Sequence, residues 1–310
     1  ILERAMREDT ARYTRELVPY MLGHAESLPH PLKRLTELDA WTHAATLAPF
    51  AALVLDLSHG DCGPEVARAI ASSEHAGTLT RLNLYNNAVG PEGAEALAAS
   101  THLGGLVDLN IGRNGLGVRG VRALAESERL DSLRRLHLYG SAVEDDGVRA
   151  LASAERLMRL EVLNLSANGV TDHGAKALAD TTHPAHLGEL ALYDNAIGAE
   201  GVSALCASGT LSRVKTLSLA HNAVGDDAAR ILAQTTGLGA LEHLYLDFNG
   251  IRDEGAQDLA EAPWLDRLRR LVLHGNPIGR RGLDALAAAA QRHLQLEVFA
   301  GGKRLRARSR

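Results

Sequence analysis

Leu160 to Leu178 reads LEVLNLSANGVTDHGAKAL. Leu163 and Leu165 stand two apart, the spacing that sends both side chains to one side of a short strand. Asn168 follows at a fixed distance, and Gly174 and Leu178 then fall at helical spacing. The same wording returns as LTRLNLYNNAVGPEGAEAL from Leu79 and as LEHLYLDFNGIRDEGAQDL from Leu241. Extended outward, the pattern LxxLxLxxNxIxxxxGxxxL recurs every 27 residues, starting at Ala52, Leu79, Leu106, Leu133, Leu160, Leu187, Val214, Leu241 and Leu268. Nine repeats in register, without an insertion, make a solenoid of strand, turn and helix in which each repeat covers its neighbour's leucines.

Two further positions have a physical reading. Asparagine closes the strand at Asn87, Asn114, Asn168, Asn195, Asn222, Asn249 and Asn276, where an amide both donates to and accepts from buried turn backbone. Gly60 and Ser141 interrupt that ladder and predict local loosening. Glycine recurs at Gly93, Gly120, Gly147, Gly174, Gly201, Gly255 and Gly282, where a close pass of helix and strand is expected. Acids just ahead of the helices, among them Glu92, Asp146, Glu200, Asp227 and Glu254, suit the positive end of a helix dipole.

Strand, asparagine turn and GxxxL helix together resemble the ribonuclease-inhibitor-like class of leucine-rich repeats, which includes the Ran GTPase-activating protein and the sensor regions of NOD-like receptors. The Ala, Arg and Gly-rich wording also resembles bacterial tandem proteins of that class. The resemblance spans Ala52 to about Val298 and implies an α/β horseshoe, with a parallel concave sheet and convex helices, that binds proteins. Uniform 27-residue repeats and only two cysteines depart from the inhibitor, so a ribonuclease target is not implied. No arginine or asparagine aligns by motif with a GTPase-activating residue.

The ends lie outside the repeat. Residues 1–51 read as a helical cap, with Leu2, Met6, Tyr13, Leu17 and Tyr20 near one face and a second helical stretch from Leu32 to Leu47 after Pro29 and Pro31. The repeats fill 52–294, and 295–310 holds a last irregular strand at Leu296 and Val298 followed by a basic tail of Lys303, Arg304, Arg306, Arg308 and Arg310, expected to be solvated. The chain opens on Ile1 rather than Met, which points to a piece of a longer protein.

Composition limits the function classes. The 310 residues are 45% hydrophobic and 23% charged with a net charge of −5, which disfavours a nucleic-acid binder, since phosphate recognition needs clustered Lys and Arg. No apolar run reaches the ~20 residues of a membrane helix. Cys62 and Cys206 fall too many repeats apart for a disulfide and are expected as buried free thiols, which favours the cytoplasm. No nucleophile motif, phosphate loop or cofactor fingerprint appears, and the reading is of a non-enzyme without a cofactor.

Function is expected on the outward strand positions, which alternation fixes once the inward leucines are known. Tyr85, Tyr139, Tyr193, Tyr245 and Phe248, five of the chain's nine Tyr and Phe residues, fall there. Ser58, Tyr85, Gly112, Tyr139, Ser166, Tyr193 and Ala220 occupy one such position in turn, so tyrosines about 10 Å apart over small floors would form a comb for a partner. Arg81, Arg113 and Arg135 in the first half, against Asp108, and Glu189, Asp194 and Asp247 further on make the face dipolar. His221, His243 and His274 with Asp247 could hold zinc or sense pH, although strand neighbours seldom converge as a tetrahedral site requires. The expected role is a protein-interaction module. The alternatives are a sensor or autoinhibitory arm contacting an upstream domain of the same protein, and a GTPase-activating protein.

Overall fold

The computed structural model describes residues 36–38, 53–155, 159–180 and 186–305. Contacts divide the chain into two compact units, Ile1–Ala142 with Ala154–Leu160, and Val143–Ser153 with Glu161–Arg310. In the first, strands β2 (Leu53–Asp56), β3 (Leu79–Asn83), β4 (Asp108–Asn110) and β5 (Arg135–His137) pair parallel in sequence order. Helices α1 (Gly63–Ser72), α2 (Gly90–Ala99) and α3 (Gly117–Glu126) connect them. The second unit carries α4 (Glu144–Ala152) and parallel strands β6 (Val162–Asn164), β7 (Glu189–Ala191), β8 (Thr216–Ser218), β9 (His243–Tyr245), β10 (Arg270–Val272) and β11 (Glu297–Ala300). Between and after these strands run α5 (Asp172–Ala179), α6 (Ala199–Ala207), α7 (Gly225–Gln234), α8 (Asp253–Ala260) and α9 (Arg280–Arg292). Among the described residues no helix is long and apolar enough to cross a membrane.

In each repeat the two strand leucines and the helix leucine meet between sheet and helix. Leu82, Leu84 and Leu97 are at most 1% exposed, and so are Leu244, Leu246 and Leu259. A buried leucine contributes roughly 1.5–3 kcal/mol, so the core is a sum of many equal small contacts rather than one central cluster.

The asparagines lock one repeat to the one before it. Asn114 Oδ1 accepts from the backbone N–H of Asn87 at 2.8 Å and of Val89 at 3.1 Å, while its Nδ2 donates to the carbonyls of Leu84 and Ile111 at 2.8 and 2.9 Å. Asn276 makes the same four bonds in the second unit, and Asn222 makes three of them, the Asn195 N–H going to the His221 carbonyl instead. One side chain therefore satisfies four backbone groups that water cannot reach. The two interruptions differ from the expected loosening. Gly60 heads the stack, and a Cβ there would stand 2.9 Å from Asn87 Oδ1. Ser141 is wholly buried, its shorter hydroxyl reaching the Ile111 carbonyl at 3.4 Å.

The repeat glycine has a different basis from the one expected, while the predicted acids Glu92, Asp146, Glu200, Asp227 and Glu254 do stand in the first turn of their helices. Helix stacks on helix, not on strand: a Cβ at Gly120 would lie 3.1 Å from both Ala94 Cβ and Pro91 Cα of the preceding helix. In the second unit the obstacle is an aspartate one residue before the predicted acid row. Asp145, Asp172 and Asp226 each send Oδ1 across to the next helix start, accepting from Thr171 and Gly174, from Gly198 and Gly201, and from Arg252 and Gly255 at 2.7–3.0 Å. Asp253 does the same to Gly282 at 2.8 Å. These are helix caps supplied by the neighbouring repeat, and a Cβ at Gly174 would fall 2.5 Å from Asp145 Oδ1.

The cap decides the backbone it serves. Where the preceding repeat offers aspartate, the residue opening the helix is extended, with φ of −105° at Thr171, −110° at Gly198, −109° at Arg252 and −83° at Gly279. Where the preceding repeat offers Pro64, Pro91, Val118 or Ala199, the same position turns left-handed, at Gly90, Gly117, Glu144 and Gly225 with φ of 55–65°. Glu144 is the only one of these four that is not glycine.

At the ends the structure departs from expectation. Thr36–Leu38 (β1) is a strand antiparallel to β2, within the stretch read as helical from Leu32 to Leu47; the rest of residues 1–51 lies outside the described residues. An extended segment covers the sheet edge by backbone pairing, which an amphipathic pattern does not signal. At the other end the expected strand at Leu296 and Val298 is present as β11, but Lys303–Leu305 (β12) turns back antiparallel onto it, so Arg304, though exposed, is a strand residue that pairs with Glu297. Arg306, Arg308 and Arg310 lie outside the described residues. Cys62 is buried and Cys206 half-buried; both are free, and burial pushes each thiol's pKa up.

Two substitutions test these contacts. Asn114→Ala strands two buried amides and is expected to cost about 3 kcal/mol in urea unfolding; a cost under about 0.5 kcal/mol would refute the ladder's role. Glu144→Gly relieves a left-handed glutamate and is expected to raise stability by about 0.5–1 kcal/mol, whereas a loss would show that its side chain compensates for the strain.

Candidate interaction surface

Parallel pairing in register sets equivalent residues of successive repeats side by side on the face opposite the leucines. In the first unit Arg81, Asp108 and Arg135 are direct neighbours across β3, β4 and β5. Asp108 lies 3.6 Å from Arg81, 3.7 Å from Arg135 and 3.7 Å from His137, so two of the three predicted arginines are engaged within the face. The third, Arg113, is exposed, with its guanidinium over the Tyr139 ring, 5.3 Å from the centroid.

The tyrosine comb is tighter than strand spacing implies. Tyr85 and Tyr139 tilt toward each other over Gly112 until their centroids are 6.4 Å apart, not about 10 Å. A Cβ on Gly112 would stand 3.2 Å from Tyr85 Cδ2 and 3.0 Å from the Tyr139 carbonyl, so only glycine lets the rings close over this floor. His59 packs its edge on Tyr85 at 5.2 Å. The result is a strip of His59, Tyr85, Tyr139 and Arg113 rather than two separate teeth.

The residue just before each ladder position forms a second row that sequence reasoning did not see as a row. His59, Asn86, Arg113, Gly140, Ala167, Asp194, His221, Phe248 and Gly275 all have φ between 52° and 69°. Only two are glycine, although a bulky residue here is a genuine outlier. The parallel ladder enforces the conformation, because the N–H of Asn86 must reach the Gly112 carbonyl at 2.9 Å and that of Phe248 the His274 carbonyl at 2.8 Å. Asn86, Asp194 and the two glycines, residues that tolerate this region, were the available signal.

In the second unit this row and its neighbour carry Tyr193, His221, Asp247 and Phe248. His221 meets the Tyr193 ring edge-on at 5.0 Å and stacks on Phe248 at 4.3 Å. Phe248 is 53% exposed and leans over Gly275, where a Cβ would come within 2.3 Å of its ring. Glu189 and Asp194 are exposed, while His243, Tyr245 and Asp247 are half-buried. Asp247 accepts from the His274 N–H at 3.2 Å; burial pushes its carboxyl pKa up, against the opposing pull of that bond and of His274 and His221. Beyond it, Phe299 sits under the guanidinium groups of Arg270 and Arg304 at 5.7 and 5.6 Å, and both arginines pair with Glu297. This cluster was missed, although alternation around Leu296 and Val298 would have turned Glu297 and Phe299 outward. Among the described residues no three His, Cys, Asp or Glu side chains gather as a metal ion would require, and His221, His243, His274 and Asp247 do not converge.

Comparison with known proteins places the repeat. A family model described as Leucine Rich repeat matches five stretches, residues 76–98, 106–125, 158–179, 183–206 and 241–260. The chain is similar to the crystal structure of internalin C2 from Listeria monocytogenes, at 23% identity and a TM-score of 0.49 over 73% of this chain and 82% of that one. No curated protein matches the chain. The family match reaches the repeat class and not the ribonuclease-inhibitor-like subclass.

Asp247 offers a test of the face's electrostatics. A carboxyl whose folded pKa is raised contributes stability that is present below its unfolded pKa and lost as pH rises through the folded one. Asp247→Asn is therefore expected to raise the melting temperature at pH 7, with the gain shrinking on acidification and vanishing below about pH 3.5, under the ordinary aspartate range. A lower melting temperature at pH 7 would show that the carboxylate stabilises the free protein.

Proposed function

Since the chain is a leucine-rich-repeat protein, we propose that it is a non-enzymatic interaction module that holds a protein partner against its strand face. The observation that carries this reading is where its few aromatic residues stand. Of six tyrosines and three phenylalanines, Tyr85, Tyr139, Tyr193, Tyr245, Phe248 and Phe299 all occupy the outward strand face or the turn that ends it. A core of leucine and alanine has no need of them there, and an exposed phenylalanine on left-handed backbone costs stability that only a use would justify. Tyrosine and phenylalanine bury large area with few torsions to freeze, as interface anchors require.

Preorganisation supports the same reading. The asparagine ladder and the paired strands hold the face before any partner arrives, so association orders little backbone. Arg113 is packed on Tyr139, and Arg81 and Arg135 share Asp108, leaving the arginines as an oriented rim around the tyrosines.

The experiment is affinity capture with the wild-type chain beside a Tyr85→Ala, Tyr139→Ala, Tyr193→Ala variant, after unfolding curves show that both are folded. Partner affinity is expected to fall by at least about 30-fold, the effect of losing one hot spot of about 2 kcal/mol. Retention within about threefold would move the interface off this face. Because Tyr85 and Tyr139 touch, their single substitutions are expected to be non-additive in binding.

A further inference from the structure

The unpaired charge on the second unit's strand face is of one sign. Arg270 and Arg304 are held by Glu297, and Lys215 and Arg269 by Glu242. Among the described residues Glu189, Asp194 and Asp247 have no lysine or arginine within ion-pairing distance. Asp247 is the unusual one, because it is half-buried against the sheet with no lysine or arginine beside it, and the His274 N–H and the nearby His274 and His221 rings only partly offset the cost of burying its carboxylate.

Its surroundings form a slot. Tyr193, Ala220 and Asp247 hold the same place in three successive repeats, so the backbones that carry the tyrosine and the carboxylate are two strands, or about 10 Å, apart. Between them the floor is Ala220, 5% exposed, with Ser218 beside it on β8. Unlike Tyr85 and Tyr139, which close over Gly112, Tyr193 has no tyrosine two repeats on, and the place opposite is taken by the acid. His221, wedged between Tyr193 and Phe248, bounds the slot at the turn end. An aromatic wall, a small-residue floor and a carboxylate wall are the three surfaces that a planar guanidinium satisfies at once, by stacking on the ring and bonding to the acid in its plane.

We infer that this slot receives an arginine side chain from an extended basic segment of a protein partner, with Asp247 as its ion-pair partner and Tyr193 as the ring it lies against. Glu189 and Asp194, about 16 Å apart along β7 and its turn, draw the basic residues on either side of that arginine. The inference rests on the strand-face reading above and gives the partner a chemistry.

The test uses a fluorescein-labelled octapeptide alternating arginine and serine, its citrulline counterpart, which keeps the shape and loses the charge, and a lysine counterpart, all titrated by anisotropy against the folded chain. The arginine peptide is expected to bind below about 1 mM and the citrulline peptide at least about tenfold more weakly, with lysine between them. Asp247→Asn and Tyr193→Ala are each expected to weaken the arginine peptide about tenfold, while Glu254→Gln, exposed on helix α8, leaves it unchanged. No binding by the arginine peptide, equal binding of arginine and citrulline, or an unaltered affinity in Asp247→Asn would overturn the slot. Tighter binding of a single-stranded oligonucleotide than of the peptide would overturn the choice of a basic segment. If the triple tyrosine variant loses its captured partner while the peptide fails, the strand face stands and the slot falls; if the peptide binds while capture survives the triple variant, the slot stands as an arginine site and the captured partner is held elsewhere.

Discussion

A parallel strand that ends in a turn leaves amides and carbonyls pointing into the next repeat, where water does not reach. The asparagine side chain meets that constraint with one acceptor and one amide group, each used twice. Asn87 illustrates it: its oxygen takes the N–H groups of Gly60 and Cys62, and its nitrogen serves the carbonyls of Leu57 and Leu84. Because three of the four bonds cross to the preceding repeat, the repeats within each unit share one register, and the outward side chains there inherit their places from it. Sheet pairing alone would not achieve this, since strands of three residues contribute too few bonds to resist slippage.

Register has a backbone consequence. To keep donating along the sheet after the last strand residue, each repeat turns left-handed one residue before its ladder position, whatever side chain it carries there. A consensus designer would place glycine or asparagine throughout. This chain instead uses histidine, arginine, aspartate and phenylalanine at the very places where the side chain is thrown outward at the end of the strand face. The helix starts show the opposite economy. Aspartates of one repeat cap the helix of the next, and the backbone there relaxes to the extended form wherever such an aspartate is present. Strain is thus removed at the capped helix starts, Thr171, Gly198, Arg252 and Gly279, and kept at the end of the strand face as well as at Asp61, Ala88, Ala142 and Glu144.

Most of the architecture was legible because a period of 27 residues repeats the same physical problem nine times. LxL gave the strand, the asparagine gave the turn, and alternation gave the outward set, including Tyr85, Tyr139 and Asp247. What escaped were side-chain contacts between neighbouring repeats that a single repeat does not reveal. The aspartate caps sit one residue from the acids that a single-helix dipole picks out, and only the neighbouring helix reveals which acid faces it. Tyr85 and Tyr139 lean together because Gly112 removes the side chain between them, an effect of tilt that strand spacing does not contain. The edge strands Thr36–Leu38 and Lys303–Leu305 were unreadable for a different reason: they are held by backbone pairing to β2 and β11, and backbone pairing leaves no side-chain period.

The central claim is that asparagine side chains, acting across repeats, hold the strand face rigid before it binds anything. Amide hydrogen exchange of the free protein tests it most directly, residue by residue. The turn amides of Gly60, Val89, Val170, Ile197, Val224 and Ile251, all bonded to an asparagine oxygen, are predicted to exchange as slowly as the strand amides of Leu109 and Leu217. Exchange at the fast rate of ordinary surface turns, with the strands still protected, would contradict it and make the face one that partners order rather than find.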